Sequence, residues 1–300
     1  MFSGAIAFNQ DLSAWNNKFT GSSSINFTGM FASADAFNQN IGSWNVSNVT
    51  KMNCMFYECV NFNKNLRNWN VSKVIDMEYM FYNCLKFNKY IGNWKVSNVI
   101  NVQSIFNGCK NFNQDIGNWD VNNIINMNCM FNKCKNFNKD IGNWNVSNVT
   151  DMSGMFGECT NFDQNIGNWN VSKVTDMTGM FIHCGNFNQN VENWNVSNVI
   201  DMTCMFSECH KFNQYIGNWN VSNVTDMKYI FARCYNFDKD IGNWNVSNVS
   251  DMTGMFGECG RFNQYIGKWD FTNVTAMNDI FQGCNKFDQD ICRLDISSNI

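Results

Sequence analysis

The chain has 300 residues, of which 44% are hydrophobic and 15% aromatic, with no proline. This apolar content excludes a disordered protein, which lacks the hydrophobic mass to offset its ordering entropy. The formal net charge is −4, so we expect no nucleic-acid partner and no electrostatic attraction to an anionic membrane. No apolar run approaches the roughly 18 residues of a membrane span, so we also expect no membrane insertion. The start at Met1–Phe8 has no basic region and no adequate apolar region, so no signal peptide is visible.

A 25-residue repeat accounts for most of the chain. Strict spacing of this kind is expected where every copy must stack in register on the next. We predict a single repeat domain over 1–300, with atypical units at 1–36, ten regular repeats at 37–286 and a truncated unit at 287–300. Trp recurs at 44, 69, 94, 119, 144, 169, 194, 219, 244 and 269, and Cys at 59, 84, 109, 134, 159, 184, 209, 234, 259 and 284.

The terminal units depart from the pattern. A four-residue insertion lies near Thr20 to Ser24, and Ala5 and Ala34 stand where later copies have Cys. Near the other end Leu294 and Ile296 replace Trp and Val. Both termini fall within a unit, which predicts a fragment, a start-site artefact or an open stacking end; the atypical units could also serve as imperfect caps.

The unit at 137–161 shows how each copy is expected to fold. Trp144 and Val146 are two residues apart, so they predict a short strand whose Asn143 and Asn145 side chains face outwards. The spacing i, i+3, i+4, i+7 then predicts one or two helical turns with Thr150 or Asp151 as the N-cap. The residues of that apolar stripe are Met152, Met155, Phe156 and Cys159.

Stacking such units would bury a continuous core, because one unit alone is too small to be stable. We predict a right-handed β-solenoid of the leucine-rich-repeat type, with one short parallel strand per 25-residue coil and short helical turns on the opposite side. Strands of neighbouring coils would lie about 4.8 Å apart. An all-helical hairpin array is the alternative fold, and the Gly-Asn-Trp-Asn-Val-Ser-Asn-Val segment disfavours it as a poor helix former.

The unit Phe-Asn-Gln-Asp-Ile-Gly-Asn-Trp-Asn-Val-Ser-Asn-Val-Thr-Asp-Met, followed by Met-Phe-x-x-Cys, resembles the BspA-type leucine-rich repeat surface proteins, in the 25-residue version found in mycoplasma-type lipoproteins. The resemblance covers essentially all 300 residues. It implies a leucine-rich-repeat-like solenoid with an adhesive or protein-binding role at a cell surface, and no enzyme activity. Without a visible signal peptide, a cytoplasmic or viral setting stays open.

We call the cysteines that recur every 25 residues the ladder cysteines. We predict that they are small, buried hydrophobic side chains, with occasional oxidation between neighbouring copies as the alternative. No Cys-x-x-Cys pair occurs, so a zinc ribbon or redox motif has little support. Three further cysteines lie 75 residues apart, at Cys54, Cys129 and Cys204. This spacing indicates duplication of a three-unit block or, alternatively, a partly exposed thiol array.

Histidine and the repeated aspartate are two further candidates for a metal or catalytic site. His183 and His210 border Cys184 and Cys209, and we interpret them as solvated side chains rather than as a Cys/His zinc site. The Asp that precedes the helical Met recurs in most copies, as Asp151 does, which favours a cap over a catalytic carboxylate. We therefore expect no catalytic residue, no metal site and no cofactor.

The candidate binding face is the set of Asn side chains on either side of the Trp positions, which would form two outward columns. In leucine-rich repeats the sheet face commonly binds partners, a point that the resemblance supplies. The residues that flank each Cys vary most, as Tyr57-Glu58 and Arg233 illustrate, and they are a second variable surface. The candidate residues are Asn93, Asn118, Asn143, Asn145, Asn168, Asn170, Asn193, Asn195, Asn218 and Asn220.

These features favour a non-enzymatic binding or adhesion scaffold that recognises a protein or a glycan through its repeat surface. No nucleophile and base stand apart from the repeat, whereas catalysis normally needs unique residues at one place. One alternative is a structural protein that self-assembles end to end through uncapped coils. A second alternative is ice binding. The position after the second Val of each unit is Thr in some units and Ile in others, which is too irregular for a repeating ice-binding face.

Overall fold

The computed structural model of the protein describes residues 1–19 and 24–291. It divides into two compact units, Met1–Asn148 and Val149–Ile300. The regular elements within the described residues are a 3₁₀ helix at Ser13–Trp15 and two strands, β1 at Ile25–Asn26 and β2 at Val49–Lys51. Most of the predicted insertion, at 20–23, and Leu294 and Ile296 lie outside the described residues. The organisation as a single domain stays a prediction.

Successive repeats pair in parallel, as the sequence predicts, but at a different place in the unit. Strand β1 pairs in parallel with β2, with Ile25 opposite Val49. One-residue parallel bridges continue this pairing along each unit. In the first unit they join Lys51, Asp76, Asn101 and Asn126 in turn, and in the second unit Asp151, Asp176, Asp201, Asp226, Asp251 and Ala276.

The strand predicted around Trp144 is wrong. Gly142 and Asn143 form a turn instead, because the Oδ1 atom of Asp140 accepts the Gly142 N–H at 2.9 Å. The extended pairing comes at Asp151, after a second turn that contains Ser147. The Trp segment therefore lies between two turns, and the residue that pairs with the next repeat follows the second turn.

The helical turns predicted over Met152 to Cys159 are also wrong, since the described residues of this segment form a run of turns. Alternate N–H groups donate to different partners. Met155 N–H donates to the Met152 carbonyl at 3.1 Å, whereas Gly154 N–H donates to the Thr178 carbonyl of the next repeat at 2.7 Å. A helix would use all of these donors internally. Here half of them tie one repeat to the next.

Two residues per repeat adopt a left-handed backbone conformation, which makes this alternation possible. In the repeat that contains Cys209 they are Cys204, with φ of 56°, and Glu208, with φ of 61°. Positive φ is uncommon for residues other than Gly, so it is imposed by the register of the surrounding hydrogen bonds. Equivalent positions elsewhere include Gly154 and Gly179, where the conformation carries no steric cost.

The core consists of the repeated Ile, Trp, Val, Met, Phe and Cys side chains, as the sequence predicts. Phe181 and Phe187, on either side of a repeat boundary, stack at 4.1 Å between ring centroids, and Phe181 stacks on the equivalent Phe206 of the next repeat at 5.6 Å. The rings of Trp194 and Trp219 are 6.4 Å apart and nearly parallel. These side chains are at most 3% exposed, so columns of identical residues fill the interior of each unit.

Candidate binding surface

All ten candidate Asn residues are exposed, on either side of a buried Trp. In the repeat around Trp144, Asn143 lies in the first turn and Asn145 lies before the second. The indole between them is 3% exposed. Four of these residues lie in the first unit and six in the second, and we call the ten residues together the asparagine face.

The Asn side chains that follow the Trp residues accept hydrogen bonds from the backbone of their own repeat. Asn145 Oδ1 accepts the Ser147 N–H at 3.2 Å, and Asn170 Oδ1 accepts the Ser172 N–H at 3.1 Å. The same Asx turn occurs at Asn195 and Asn220. Because short polar side chains readily bond to the backbone two residues on, the sequence favours this local structure. A ligand would meet amide groups that are already oriented.

The column that precedes each Trp makes contacts between repeats. Asn93 Nδ2 donates to the Arg67 carbonyl oxygen at 2.7 Å. In the second unit, Asn218 Nδ2 donates to Glu192 Oε1 at 3.3 Å and its Oδ1 atom accepts from the Tyr215 hydroxyl at 3.4 Å. This column therefore combines amide, carboxylate and phenol groups.

The asparagine face does not lie on the paired strand positions, which corrects the prediction of a sheet-face location. Parallel pairing passes through Asp151 and Asp176, whereas Asn143 and Asn168 lie at the turns beside Trp144 and Trp169. The face is therefore a surface of stacked turns, with shallow depressions between neighbouring repeats.

Two of these depressions lie in the first unit and contain candidate residues. The first is bordered by Arg67, Trp69, Asn93 and Lys95. The second shares Asn93 and Lys95 and continues to Tyr90, Asn118 and Asp120. The Arg67 guanidinium carbon lies 5.6 Å from the centroid of the Tyr90 ring, which is within the range of a cation–π contact.

The ladder cysteines donate to buried carbonyl oxygens. The Cys59 thiol donates to the Phe31 carbonyl at 2.9 Å, and the Cys84 thiol donates to the Phe56 carbonyl at 3.0 Å. Burial raises the pKa of Cys59 to about 12, although a backbone hydrogen bond at Ala34 lowers it somewhat. Ladder thiols of this kind are protonated and unreactive at neutral pH. Their structure fits the prediction of small buried hydrophobes.

The two histidines contact a carboxylate and a phenol ring. His183 Nδ1 is 2.8 Å from Glu208 Oε2, and His210 stacks on Tyr235 with 4.8 Å between ring centroids. The structure describes no group of three or more His, Cys, Asp or Glu residues in 1–19 and 24–291 that could hold a metal ion.

The repeated Asp bonds to the backbone, but it does not cap a helix. Asp176 Oδ1 accepts the Thr178 N–H at 2.8 Å, and Asp201 Oδ1 accepts the Thr203 N–H at 2.8 Å. The prediction of a structural backbone acceptor is right, and the helix that it was expected to cap is absent from the described part of these repeats.

Sequence reasoning missed a chain of charged groups in the second unit. Arg233 Nη1 lies 3.0 Å from Glu208 Oε1, and Arg233 Nε lies 3.2 Å from Glu258 Oε1. Burial raises the pKa of Glu208, but hydrogen bonds and charge from His183 and Arg233 outweigh it and hold that pKa below its usual value. These residues are 25 apart at the position before each Cys, and this spacing was the available signal.

The chain belongs to the family described as "Mycoplasma protein of unknown function, DUF285", whose model matches residues 1–91, 80–194 and 175–294. This membership confirms the resemblance to the 25-residue BspA-type repeats. The comparison with curated proteins found no match. In the described part of the chain, a helix long and apolar enough to cross a membrane is not found.

Two solved structures are similar to this chain. One is a leucine rich cell surface protein from Faecalibacterium prausnitzii A2-165, with 12% identity and a TM-score of 0.44 over 93% of this chain and 81% of that chain. The other is a leucine-rich repeat protein from Bacteroides ovatus ATCC 8483, with 12% identity and a TM-score of 0.44 over 88% of this chain and 80% of that chain. At this level of similarity they do not bear on function.

Proposed function

We propose that the protein is a non-enzymatic binding or adhesion scaffold that recognises a protein or a glycan through the asparagine face. The observation that carries the proposal is the repetition of exposed, oriented amides beside a buried Trp, as at Asn143 and Asn145. Amide groups donate and accept hydrogen bonds, which suits sugar hydroxyls and peptide groups. A rigid surface also reduces the ordering cost of binding.

The resemblance to BspA-type surface proteins supports a cell-surface or extracellular location for this scaffold. Protease treatment of intact cells that express the protein tests the location. Rapid loss of the protein before any cytoplasmic marker is expected. Full protection until the cells are lysed would instead favour the cytoplasmic setting.

The binding face is tested by the double variant Asn118→Lys with Asn143→Lys, which places two cations on one column of the first unit. The probes are a printed glycan array and a panel of purified extracellular matrix proteins. Binding of any ligand found with the native protein should fall at least about tenfold, since misplaced charge at an interface costs on the order of 1.4 kcal/mol or more.

The matched control is Asn111→Lys with Asn136→Lys, which adds the same charge at exposed positions where Lys86 and Lys211 occur naturally in other repeats. The control should bind like the native protein, and both variants should keep its circular dichroism spectrum. Equal binding by the two double variants would show that the asparagine face is not the site.

End-to-end self-assembly is a second candidate function. It is favoured by the self-complementary edges of the repeats, in which donors such as Glu208 N–H always meet a carbonyl of the next copy, here Ala232 at 2.8 Å. Light scattering over a hundredfold range of protein concentration tests it. Growth of filaments is expected under this function, and a constant monomer mass would contradict it.

A further inference from the structure

Three of the eight tyrosines lie together on the turns of the first unit, outside the asparagine face. Tyr57 and Tyr82 stack with 4.8 Å between ring centroids, and Tyr79 meets Tyr82 edge-on at 5.7 Å. The Gln103 side chain donates to the Tyr79 hydroxyl at 3.0 Å and so helps to fix that ring. All three tyrosines are partly exposed. We call them the tyrosine cluster.

Two carboxylates, Asp76 and Glu78, precede Tyr79 in the chain, and the described residues include no ion pair to either of them. Asp76 Oδ1 accepts the Glu78 N–H at 3.1 Å, so the two acidic residues share one turn. Burial, together with the Asp76 charge, raises the pKa of Glu78. Lys51 is paired with Asp76 through the backbone, but the structure describes no ion pair between it and either carboxylate.

The same arrangement recurs 150 residues later with two charges reversed, since Asp201 stands at the position of Lys51 and Lys228 at that of Glu78. Asp226 and Tyr229 correspond to Asp76 and Tyr79, and Cys204 precedes this repeat as Cys54 precedes the other. At the position of Glu78, however, the second unit has Lys228, whose Nζ atom lies 5.7 Å from the centroid of the Tyr229 ring. The second unit therefore places a cation of its own over this tyrosine.

Two positions next to this tyrosine also differ between the two units. The positions of Tyr57 and Tyr82 are occupied in the second unit by the small residues Ser207 and Ala232. At these positions the first unit thus has two more aromatic rings, and it has the carboxylate Glu78 where the second unit has the cation Lys228. An aromatic face beside carboxylates is the environment that binds guanidinium and ammonium groups.

We propose that the tyrosine cluster with Asp76 and Glu78 is a binding site for a basic side chain, arginine or lysine, of a partner polypeptide. The charged head would lie over Tyr79, as Lys228 Nζ lies over Tyr229, and would neutralise Glu78. Tyr57 and Tyr82 would cover the aliphatic part of the side chain and neighbouring peptide groups. Tyr and Arg are the residues that most often dominate protein interfaces.

This site is independent of the asparagine face, so the two proposals fail separately. The probe is a fluorescein-labelled peptide with three arginines spaced by pairs of glycines, and binding is measured by fluorescence anisotropy at low salt. The native protein should bind one peptide. The Asn118→Lys, Asn143→Lys double variant should bind it equally well, within about twofold after the added charge is allowed for.

The decisive variant is Glu78→Lys, which supplies the internal cation found at Lys228 and which the fold already accepts there. It should weaken peptide binding at least about tenfold. Glu192→Lys makes the same change of net charge in the second unit and should alter binding less than about twofold. The reciprocal variant Lys228→Glu should add a second, weaker site, because Ser207 and Ala232 provide no aromatic cover.

Three results would overturn the proposal. One is native-like peptide binding by Glu78→Lys, and another is an equal loss in Glu78→Lys and Glu192→Lys, which would indicate a general charge effect. The third is equally tight binding of a control peptide in which uncharged citrulline replaces arginine. Thermal unfolding of each variant shows whether the fold is retained.

Discussion

The indole Nε1–H of Trp219 donates to the carbonyl oxygen of Val191, 28 residues earlier, at 3.1 Å. The same carbonyl accepts the backbone N–H of Trp194 at 3.1 Å. Most other repeats have Ile at the position of Val191, yet the bond persists because it uses the backbone. One buried oxygen therefore links two successive tryptophans, through a turn in one repeat and a side chain in the next.

The Trp219→Phe variant should lower the free energy of unfolding by about 1–3 kcal/mol, through the lost hydrogen bond and a partly filled cavity. The loss is limited because the Val191 oxygen keeps its bond to Trp194 N–H. Chemical denaturation followed by circular dichroism measures it. Val191→Ile is the control and should be neutral or stabilising, since Ile fits the equivalent site in other repeats; a native stability for Trp219→Phe would refute the role of the indole bond.

Alkaline pH should unfold the protein through its buried thiols. The folded state holds the pKa of Cys59 near 12, against 9.0 for an unperturbed thiol, so the unfolded state loses its proton first. The stability contributed by such thiols is complete below pH 9 and is lost as pH rises towards 12, by at most about 1.4 kcal/mol per pH unit and thiol. Cys59→Ala, which has natural precedents at Ala5 and Ala34, should reduce this slope in urea melts at pH 8 to 10.5. An unchanged slope would contradict the account.

Thiol labelling should separate the cysteines into two groups. Cys54 and Cys204 are partly exposed, but burial raises the pKa of both thiols, so they should react slowly with iodoacetamide at pH 8 and faster as pH increases. Fully buried thiols such as Cys109 and Cys184 should react only after unfolding. Peptide mapping by mass spectrometry identifies the labelled sites. Early labelling of Cys109 would show that the coils open more readily than the structure implies.

Gly254 should tolerate substitution less well than Gly179, although both have φ of 57°. A Cβ atom at Gly254 would overlap the Tyr229 ring, whereas at Gly179 it would meet only Ile182 at 3.4 Å and beyond. Backbone strain alone costs about 1 kcal/mol for Ala at such positions. We expect Gly254→Ala to lower the thermal midpoint more than Gly179→Ala. Equal shifts would mean that Tyr229 moves aside freely.

The ion pairs of Arg233 should contribute little and should depend on salt, since exposed pairs are screened by water and ions. Arg233→Met is expected to lower the thermal midpoint slightly at low ionic strength and to match the native protein at 1 M NaCl. Lys268→Met, at a position outside these pairs, is the control for removing a cation. A loss that persists at high salt would point to packing by the arginine side chain instead.

The sequence predicted the repeat, the buried residues and the exposed Asn positions, because burial depends on which side chains recur together. It did not predict the backbone that connects them. The spacing of Met152, Met155, Phe156 and Cys159 suits a helix, but it also suits turns in which Gly154 bonds to the next repeat. That alternative needs positive φ at positions such as Cys204 and Glu208, where the residue type does not indicate it.

The sequence also did not indicate which residues pair in parallel between neighbouring repeats. Asp151 has low strand propensity, and it pairs with Asp176 because turns on both sides bring equivalent backbone groups into register. The tyrosine cluster illustrates a further limit. Tyr57 and Tyr82 are equivalent by their spacing, but the spacing does not indicate the edge-on contact of Tyr82 with Tyr79, whose φ is 53°.

The constant offset of the hydrogen bonds has a genetic consequence. Within the second unit, Met202 N–H meets the carbonyl of Asp226 and Met227 N–H meets that of Asp251, so each junction offers the same donors and acceptors. Unequal recombination that removes or adds 25 codons would join two edges that already match. Natural alleles of this gene should therefore differ in copy number by whole units, and those length variants should fold.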